Sequence, residues 1–276
     1  SLLDAAHGVH TIANSNMVRA IKTVSVERGR DPADFVMMAF GGAGPIHAAG
    51  VAEALGIRQI LVPPAPGLFS AFGLLRSEVE HHTTRTVLTD TTSPDLSVLQ
   101  AVIDEMRENL KQRILAEGFE EGKVSYSALS DIRYLGQSSE LMVPLAELVV
   151  SEAVLRQAED GFEEEYERLF GHRADHRAFE LVNIHVIATV DRGVDHVGRW
   201  DEETKSKAAD VTLRSVYFGP DAGSLGTKIL TRPALSARPL AGPIIVEEYD
   251  STVVVPPGWE VHLDDLNNIV IQFIGV

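Results

Sequence analysis

The segment Phe35-Val-Met-Met-Ala-Phe-Gly-Gly-Ala-Gly-Pro-Ile-His-Ala-Ala-Gly50 constrains this chain more than any other. An apolar run stops at Gly41-Gly42-Ala43-Gly44-Pro45, and small, helix-compatible residues follow. That order predicts a buried strand, a tight turn and a helix opening at Pro45. Glycine, without a Cβ, lets backbone approach a ligand closely. Proline suits the first helical position, where its missing N–H is not needed. A helix start presents N–H groups without intrahelical partners and a partial positive charge, a setting that suits phosphate. The turn therefore points to a nucleotide. A purely structural strand-to-helix turn is the alternative, and the glycines alone would favour it.

Other nucleotide motifs are excluded by what accompanies the glycines. No Gly-Lys-Ser or Gly-Lys-Thr occurs, which removes a P-loop. Gly42-x-Gly44-x-x-His47 lacks the third glycine of a dinucleotide fingerprint. The next apolar run, Gln59-Ile-Leu-Val62, enters Pro63-Pro64 without an acid to hold a ribose.

The longer context is more specific. The stretches Ile12-Ala-Asn-Ser-Asn-Met-Val-Arg-Ala-Ile-Lys-Thr-Val-Ser-Val-Glu-Arg-Gly29, Asp31-Pro-Ala-Asp-Phe35 and Ala39 to Ala48 resemble the hydantoinase A/5-oxoprolinase family. The resemblance continues through Leu55-Gly-Ile-Arg58, Val62-Pro-Pro64, Pro66 to Leu75, Arg85-Thr86, Arg133-Tyr-Leu-Gly-Gln137 and Glu140-Leu141. It resumes at Gly242-Pro-Ile-Ile-Val-Glu-Glu-Tyr-Asp-Ser-Thr252 and Val255-Pro-Pro-Gly-Trp259. These segments span nearly the whole chain, in order.

The resemblance implies an α/β actin-like (ribonuclease H-like) nucleotide-binding lobe, present in part. An α+β domain with a β-rich C-terminal end would follow. It implies a hydrolase that couples ATP, with Mg²⁺, to opening a small cyclic amide such as a hydantoin, N-methylhydantoin or 5-oxoproline. A hydantoinase B-like subunit or domain is the implied partner. Relatives that serve as ATP-binding subunits of acetone- or acetophenone-type ketone carboxylases supply a second reading, and a non-catalytic ATP-binding or assembly module a third. Gly41, Gly42, Ala43, Gly44, Pro45 and His47 are the implied cofactor-binding residues. No catalytic residue is identified and no metal ligand is expected.

A first lobe should open with an Asp-x-Gly-x-Thr-like phosphate loop. Asp221-Ala-Gly-Ser-Leu-Gly-Thr227 has that look, but it follows Gly219-Pro220 instead of an apolar strand and reads as a surface turn. The chain is thus expected to be the C-terminal part of a longer protein, natural or cloned. The missing N-terminal lobe would be its partner in the site, and this chain alone is expected to be inactive. Leu3 leading straight into a helical pattern, with no initiator Met, agrees with that expectation.

Composition bounds the rest. No signal-peptide pattern or membrane-length apolar run appears, and the absence of cysteine removes disulfides and thiolate chemistry. A cytoplasmic location is expected. A formal charge of −16 opposes a nucleic-acid or anionic-membrane surface, either of which demands a basic face. The acidic run Glu159 to Glu167 reads as a solvated helix face.

Periodicity predicts helices over about Ala5 to Arg28, Asp95 to Glu117 and Glu152 to Phe170, and a short one ending near Arg76. Strands are expected over Glu78 to Leu88, Val124 to Tyr134, Glu140 to Pro144, Phe179 to Val190, Ile244 to Glu248 and Thr252 to Val255, the last ones closing as a small barrel. The expected organisation is a lobe over 1–88, a linker Thr89-Asp-Thr-Thr-Ser-Pro94 and an α+β domain over 95–276.

Four further groups carry weaker signals. His172 and His176 have zinc-like spacing, but Gly171 should end the helix and leave them in a loop. His81 and His82 fall on opposite strand faces and cannot chelate together. Ser70 begins a helix instead of sitting in a nucleophile elbow. His47 either packs beside the turn or touches ligand; Asn14 and Asn16 sit in a helix, where asparagine is a poor former, and position alone does not show whether either faces the nucleotide cleft.

Overall fold

The computed structural model describes residues 1–173, 178–193 and 211–275. These form two compact units. One comprises Ser1–Arg76 and the described part of Val197–Val276, the other the described part of Ser77–His196.

The first unit opens with α1 (Leu2–Val24), followed by a 3₁₀ turn that Gly29 ends in the left-handed region, φ 66°. Strand β1 (Met37–Met38), helix α2 (Gly44–Leu55) and strand β2 (Gln59–Val62) make a parallel crossover unit. Alanines 48, 49 and 52 are buried on α2, so the helix lies close against the sheets, and Gly56 terminates it at φ 72°. The expected buried strand is a correction. β1 is two residues at a sheet edge, and Phe35, Val36, Met38 and Phe40 are exposed while Ala39 is buried. After β2, α3 (Phe69–Arg76) ends the first segment of this unit, with Ser70 in its first turn.

The second unit is a four-stranded antiparallel sheet ordered β3-β6-β4-β5 and covered by two helices. Its elements are β3 (Val79–Asp90), α4 (Leu96–Ala116), β4 (Val124–Tyr134), β5 (Leu141–Leu145), α5 (Glu152–Phe170) and β6 (Phe179–Val190). Leu99, Ile103, Met106, Leu110 and Ile114 form the buried stripe of α4, and Val154, Leu155, Ala158 and Phe162 that of α5. The acids of the run Glu159 to Glu167 flank that stripe: Asp160, Glu164 and Glu167 are exposed, while Glu159, Glu163 and Glu165 are half-buried. Thr89–Pro94 is not a free linker: Thr89 and Asp90 pair with Leu181 and Glu180, and Thr91 N–H donates to Phe179 O at 3.1 Å. His81 and His82 diverge as alternation requires, one to Glu117 at 2.8 Å and the other to Glu80 at 3.1 Å.

Asp95 caps α4, accepting from the Ser97 hydroxyl at 2.6 Å and from the Ser97 and Val98 N–H groups. The hydroxyl first, then the backbone donors, hold its carboxyl below the ordinary carboxylate value. A lowered folded-state pKa stabilises above the unfolded value and stops doing so as pH falls through the folded one. Asp95→Ala should therefore melt below the parent at neutral pH, with the gap closing in acid. Thermal melts across that range check it; a gap independent of pH would refute the capping account.

The remaining strands return to the first unit. β7 (Thr212–Tyr217), β8 (Ser224–Leu230), β10 (Ile244–Glu247) and β11 (Thr252–Val255) form a sheet ordered β11-β10-β8-β7. β9 (Leu240–Ala241), β12 (Trp259–Leu263) and β13 (Ile269–Phe273) extend the earlier pair into β1-β2-β13-β12-β9, with Ile271 opposite Ile60. The C-terminal strands thus make two open sheets in place of the expected barrel. One core of Ile60, Val62, Ile244, Val246, Val253, Trp259, Val261 and Ile271 fills the space between them and α2. Asp221 to Gly223 is a turn between β7 and β8, while Ser224 to Thr227 are already strand.

Candidate functional site

The glycine turn lies between two other turns, both distant in sequence. Gly41 takes φ 84°, and its N–H donates to Pro66 O at 2.7 Å. Gly42 O accepts from the Ser251 hydroxyl at 3.1 Å. Asp250 reaches across to Gly67 N–H at 2.8 Å, and a Cβ on Gly67 would stand 2.9 Å from Asp250 O. The three segments 41–44, 66–67 and 250–251 therefore hold one another in place.

Past the turn, α2 opens at Gly44, one residue before the expected Pro45, and no side chain caps it. The Gly44 N–H and the helix dipole are left for a ligand; Pro45 has no N–H, and that of Ile46 already meets Ala43 O at 3.2 Å. A Cβ on Gly41 would meet nothing within 4 Å, one on Gly42 only Asp250 O at 3.6 Å, and one on Gly44 only Ala39 C at 4.0 Å. Side chains there would project into open space beside the helix start. The surroundings suit phosphate or sugar oxygens, which backbone donors satisfy without side-chain charge.

One turn along α2, His47 Nδ1 lies 2.7 Å from Asn14 Oδ1. Asn14 Nδ2 faces His10 Nδ1 at 3.5 Å, and the His10 and His47 rings stack 4.7 Å apart. With the amide so turned, Nδ1 of His47 is the donor and its Nε2 keeps a lone pair. Burial, and then the neighbouring His10, push the His47 imidazole below its ordinary value, which favours that neutral form. Gly50 makes room for this contact, since a Cβ there would stand 2.4 Å from Asn14 Nδ2. Asn16 bonds Arg19 on the exposed side of α1, so of the two asparagines only Asn14 reaches His47. The row continues through His7, which is edge-on to Tyr217 at 6.0 Å, and Tyr217 donates to Asp4 at 2.5 Å.

Behind the 250–251 turn sits Arg232, buried with Glu248. Its guanidinium binds both Glu248 carboxylate oxygens and donates to Pro63 O at 2.9 Å and Asn267 O at 2.6 Å. Glu248 N–H closes the turn on Ser251 O at 3.0 Å. Sequence reasoning singled out neither Arg232 nor His10, His7 and Tyr217. Asp250 and Ser251 stood within a motif but without a role, because their partners lie far away in sequence. His172 lies in the loop after Gly171 as expected, its Nδ1 3.1 Å from Phe170 O, and His176 falls outside the described residues. No helix among the described residues is long and apolar enough to cross a membrane.

Two family models match the chain: hydantoinase/oxoprolinase over residues 1–83 and hydantoinase/oxoprolinase C-terminal domain over 89–271. An uncharacterised protein of Methanocaldococcus jannaschii is 35% identical across 96% of the chain and 37% of that protein. Caprolactamase subunit alpha of Pseudomonas jessenii is 30% identical, across 94% and 38%. Acetone carboxylase beta subunit of Xanthobacter autotrophicus is 28% identical, across 96% and 38%. The crystal structure of the ATP-dependent caprolactamase superposes with TM-score 0.81 at 27% identity, over 97% of this chain and 40% of that one. The nucleotide-free acetone carboxylase structure, at 24% identity and TM-score 0.68 over 99% and 40%, shares the fold. The chain spans about two-fifths of the length of these relatives.

Proposed function

Because this chain belongs to the hydantoinase/oxoprolinase family, we propose that it forms part of an ATP-dependent cyclic amidohydrolase that opens a lactam or imide ring. Its glycine turn would be one wall of the ATP site. The observation that carries the reading is the uncapped start of α2, set behind side-chain-free residues and held between Pro66 and Ser251. The likeness to caprolactamase supports the cyclic-amide half of it.

ATP supplies phosphorylation of a ring carbonyl oxygen, which turns a poor amide electrophile into one that water can attack. The residues present contribute position and charge. Gly42, Ala43 and Gly44 would bring backbone N–H groups to ribose or phosphate oxygens, Gly41, its own N–H held by Pro66 O, shapes the turn, and Pro45 starts the helix without needing a donor. His47, held neutral and turned by Asn14, offers Nε2 as an acceptor for a ligand hydroxyl. The acidic groups for Mg²⁺ and the remaining phosphate donors would come from a longer protein, and a hydantoinase B-like partner would complete the assembly.

The first test uses a protein of the relatives' full length. Gly42→Val should weaken ATP binding about tenfold or more while melting changes little, because the site of its Cβ makes only one ordinary contact at 3.6 Å. Unaltered ATP affinity would defeat the proposal. The 276-residue chain alone should show no lactam-stimulated ATP turnover. The similarity to acetone carboxylase beta subunit keeps one rival, a ketone-carboxylase subunit. Amino-acid release from a lactam without bicarbonate favours the amidohydrolase; bicarbonate-dependent ketone consumption favours the carboxylase.

A further inference from the structure

Strand β1 ends its sheet, and among the described residues it has a neighbour on one side only, β2. Ala39 N–H donates to Leu61 O at 2.8 Å, so by the alternation of a strand the N–H and C=O of Met38 face away from β2. Every residue from Phe35 to Phe40 is apolar. Such an unbroken run is the mark of a parallel strand covered on both faces. Here Ala39 is buried and Met37 packs on the core, whereas Val36, Met38 and Phe40, on the opposite face, are about half exposed. An edge meant for water is blunted by charge or proline, and this run carries neither.

Helix α1, in the same unit, repeats the pattern. None of its 23 residues is buried. Val18 and Ile21 pack against the core, while Val9, Ile12 and Val24 stay mostly exposed. Val9 stands about two and a half turns before Val18, and so on the opposite side of the helix. On a helix that water covers, that second side should be polar.

We propose that the free edge of β1 is the docking site for a further β-strand, parallel to β1 and apolar on both faces, supplied by the rest of a longer protein whose added body also covers the outward side of α1. The chain spans about two-fifths of the length of its relatives, so a protein of their length holds ample chain to supply that strand. The inference rests on the proposed function only in taking this chain as part of such a protein. With the neighbour in place, β1 lengthens over 35–40 and the outward backbone groups of Val36, Met38 and Phe40 gain partners. Phe40 leads directly into Gly41. The carboxyl end of the added strand therefore lies beside the glycine wall, on the side where parallel sheets hold their ligands.

Hydrogen exchange read by mass spectrometry on peptides covering 35–40 tests this, comparing the 276-residue chain with a protein of the relatives' full length. The outward amides should exchange at least about tenfold more slowly in the longer protein. Met38→Pro removes an outward donor and leaves the bonds to β2, a change that an edge strand tolerates and an inner strand does not. It should leave the melting of the 276-residue chain nearly unchanged and abolish the added protection in the longer protein. The exchange comparison uses unaltered chains, so it decides even where the proline variant fails to fold. Equal exchange in the two chains, or protection that survives Met38→Pro, overturns the proposal. Protection that arises in the 276-residue chain itself as its concentration rises assigns the edge to a second copy and also overturns it. Protection in a longer protein without lactam-stimulated ATP turnover upholds the docking edge and counts against the amidohydrolase. Turnover with the 35–40 amides unprotected does the reverse.

Discussion

Arg232→Ala is expected to destabilise the chain by about 3–5 kcal/mol, the cost of leaving a buried carboxylate without its partner. Arg232 and Glu248 are each about nine-tenths buried, and the guanidinium also satisfies Pro63 O and Asn267 O. Removal strands all three acceptors at once. Removing both charges should cost less, since well-packed apolar replacements avoid the lone buried charge. Arg232→Met with Glu248→Met should therefore be more stable than Arg232→Ala alone. Urea denaturation of the set checks the order. A double variant as unstable as the single would mean that the guanidinium's carbonyl contacts, and not the ion pair, dominate. Because Glu248 anchors the 248–251 turn, and Ser251 holds Gly42, Arg232→Ala should also loosen the glycine wall.

Gly242→Ala should follow at about 3 kcal/mol, the upper end of overpacking costs. A Cβ there would stand 2.3 Å from Pro256 O and 2.9 Å from Val255 O, and neither backbone atom can rotate away. The same residue's N–H donates to Trp259 O at 2.8 Å, so relief by movement would break the β9–β12 edge. Denaturant unfolding measures the loss directly. A near-neutral substitution would show that the junction of β9 with the strand ends yields easily.

The two substitutions separate what is legible in a sequence from what is not. Gly242 stood in a motif whose resemblance was plain, yet the reason for glycine there is the carbonyl of Pro256, fourteen positions on. Arg232 drew no attention, because one arginine in the otherwise uncharged run Ile229 to Ser236 carries no local signature. Its burial depends on Val62, Glu248 and Asn267 converging, which no local pattern records. His47 was open between packing and ligand contact, and the structure shows the packing partners, Asn14 and His10, that orient it.

Short-range physics was enough for the rest. Helices α4 and α5 and strands β4 and β6 agree with their periodicities within a residue or two, since side-chain spacing and capping residues act over a few positions. The glycine turn and the helix behind it were likewise readable from Gly41 to Pro45 alone. Sheet membership was not. The apolar strand Ile269–Phe273 carries nothing that names its partner, and it pairs with Gln59–Val62, about 210 residues upstream. That pairing places the C-terminal strands in the same unit as the glycine turn and brings Asp250 and Ser251 to its side. Only burial of both strands in one shared core, a property of the whole fold, could decide it.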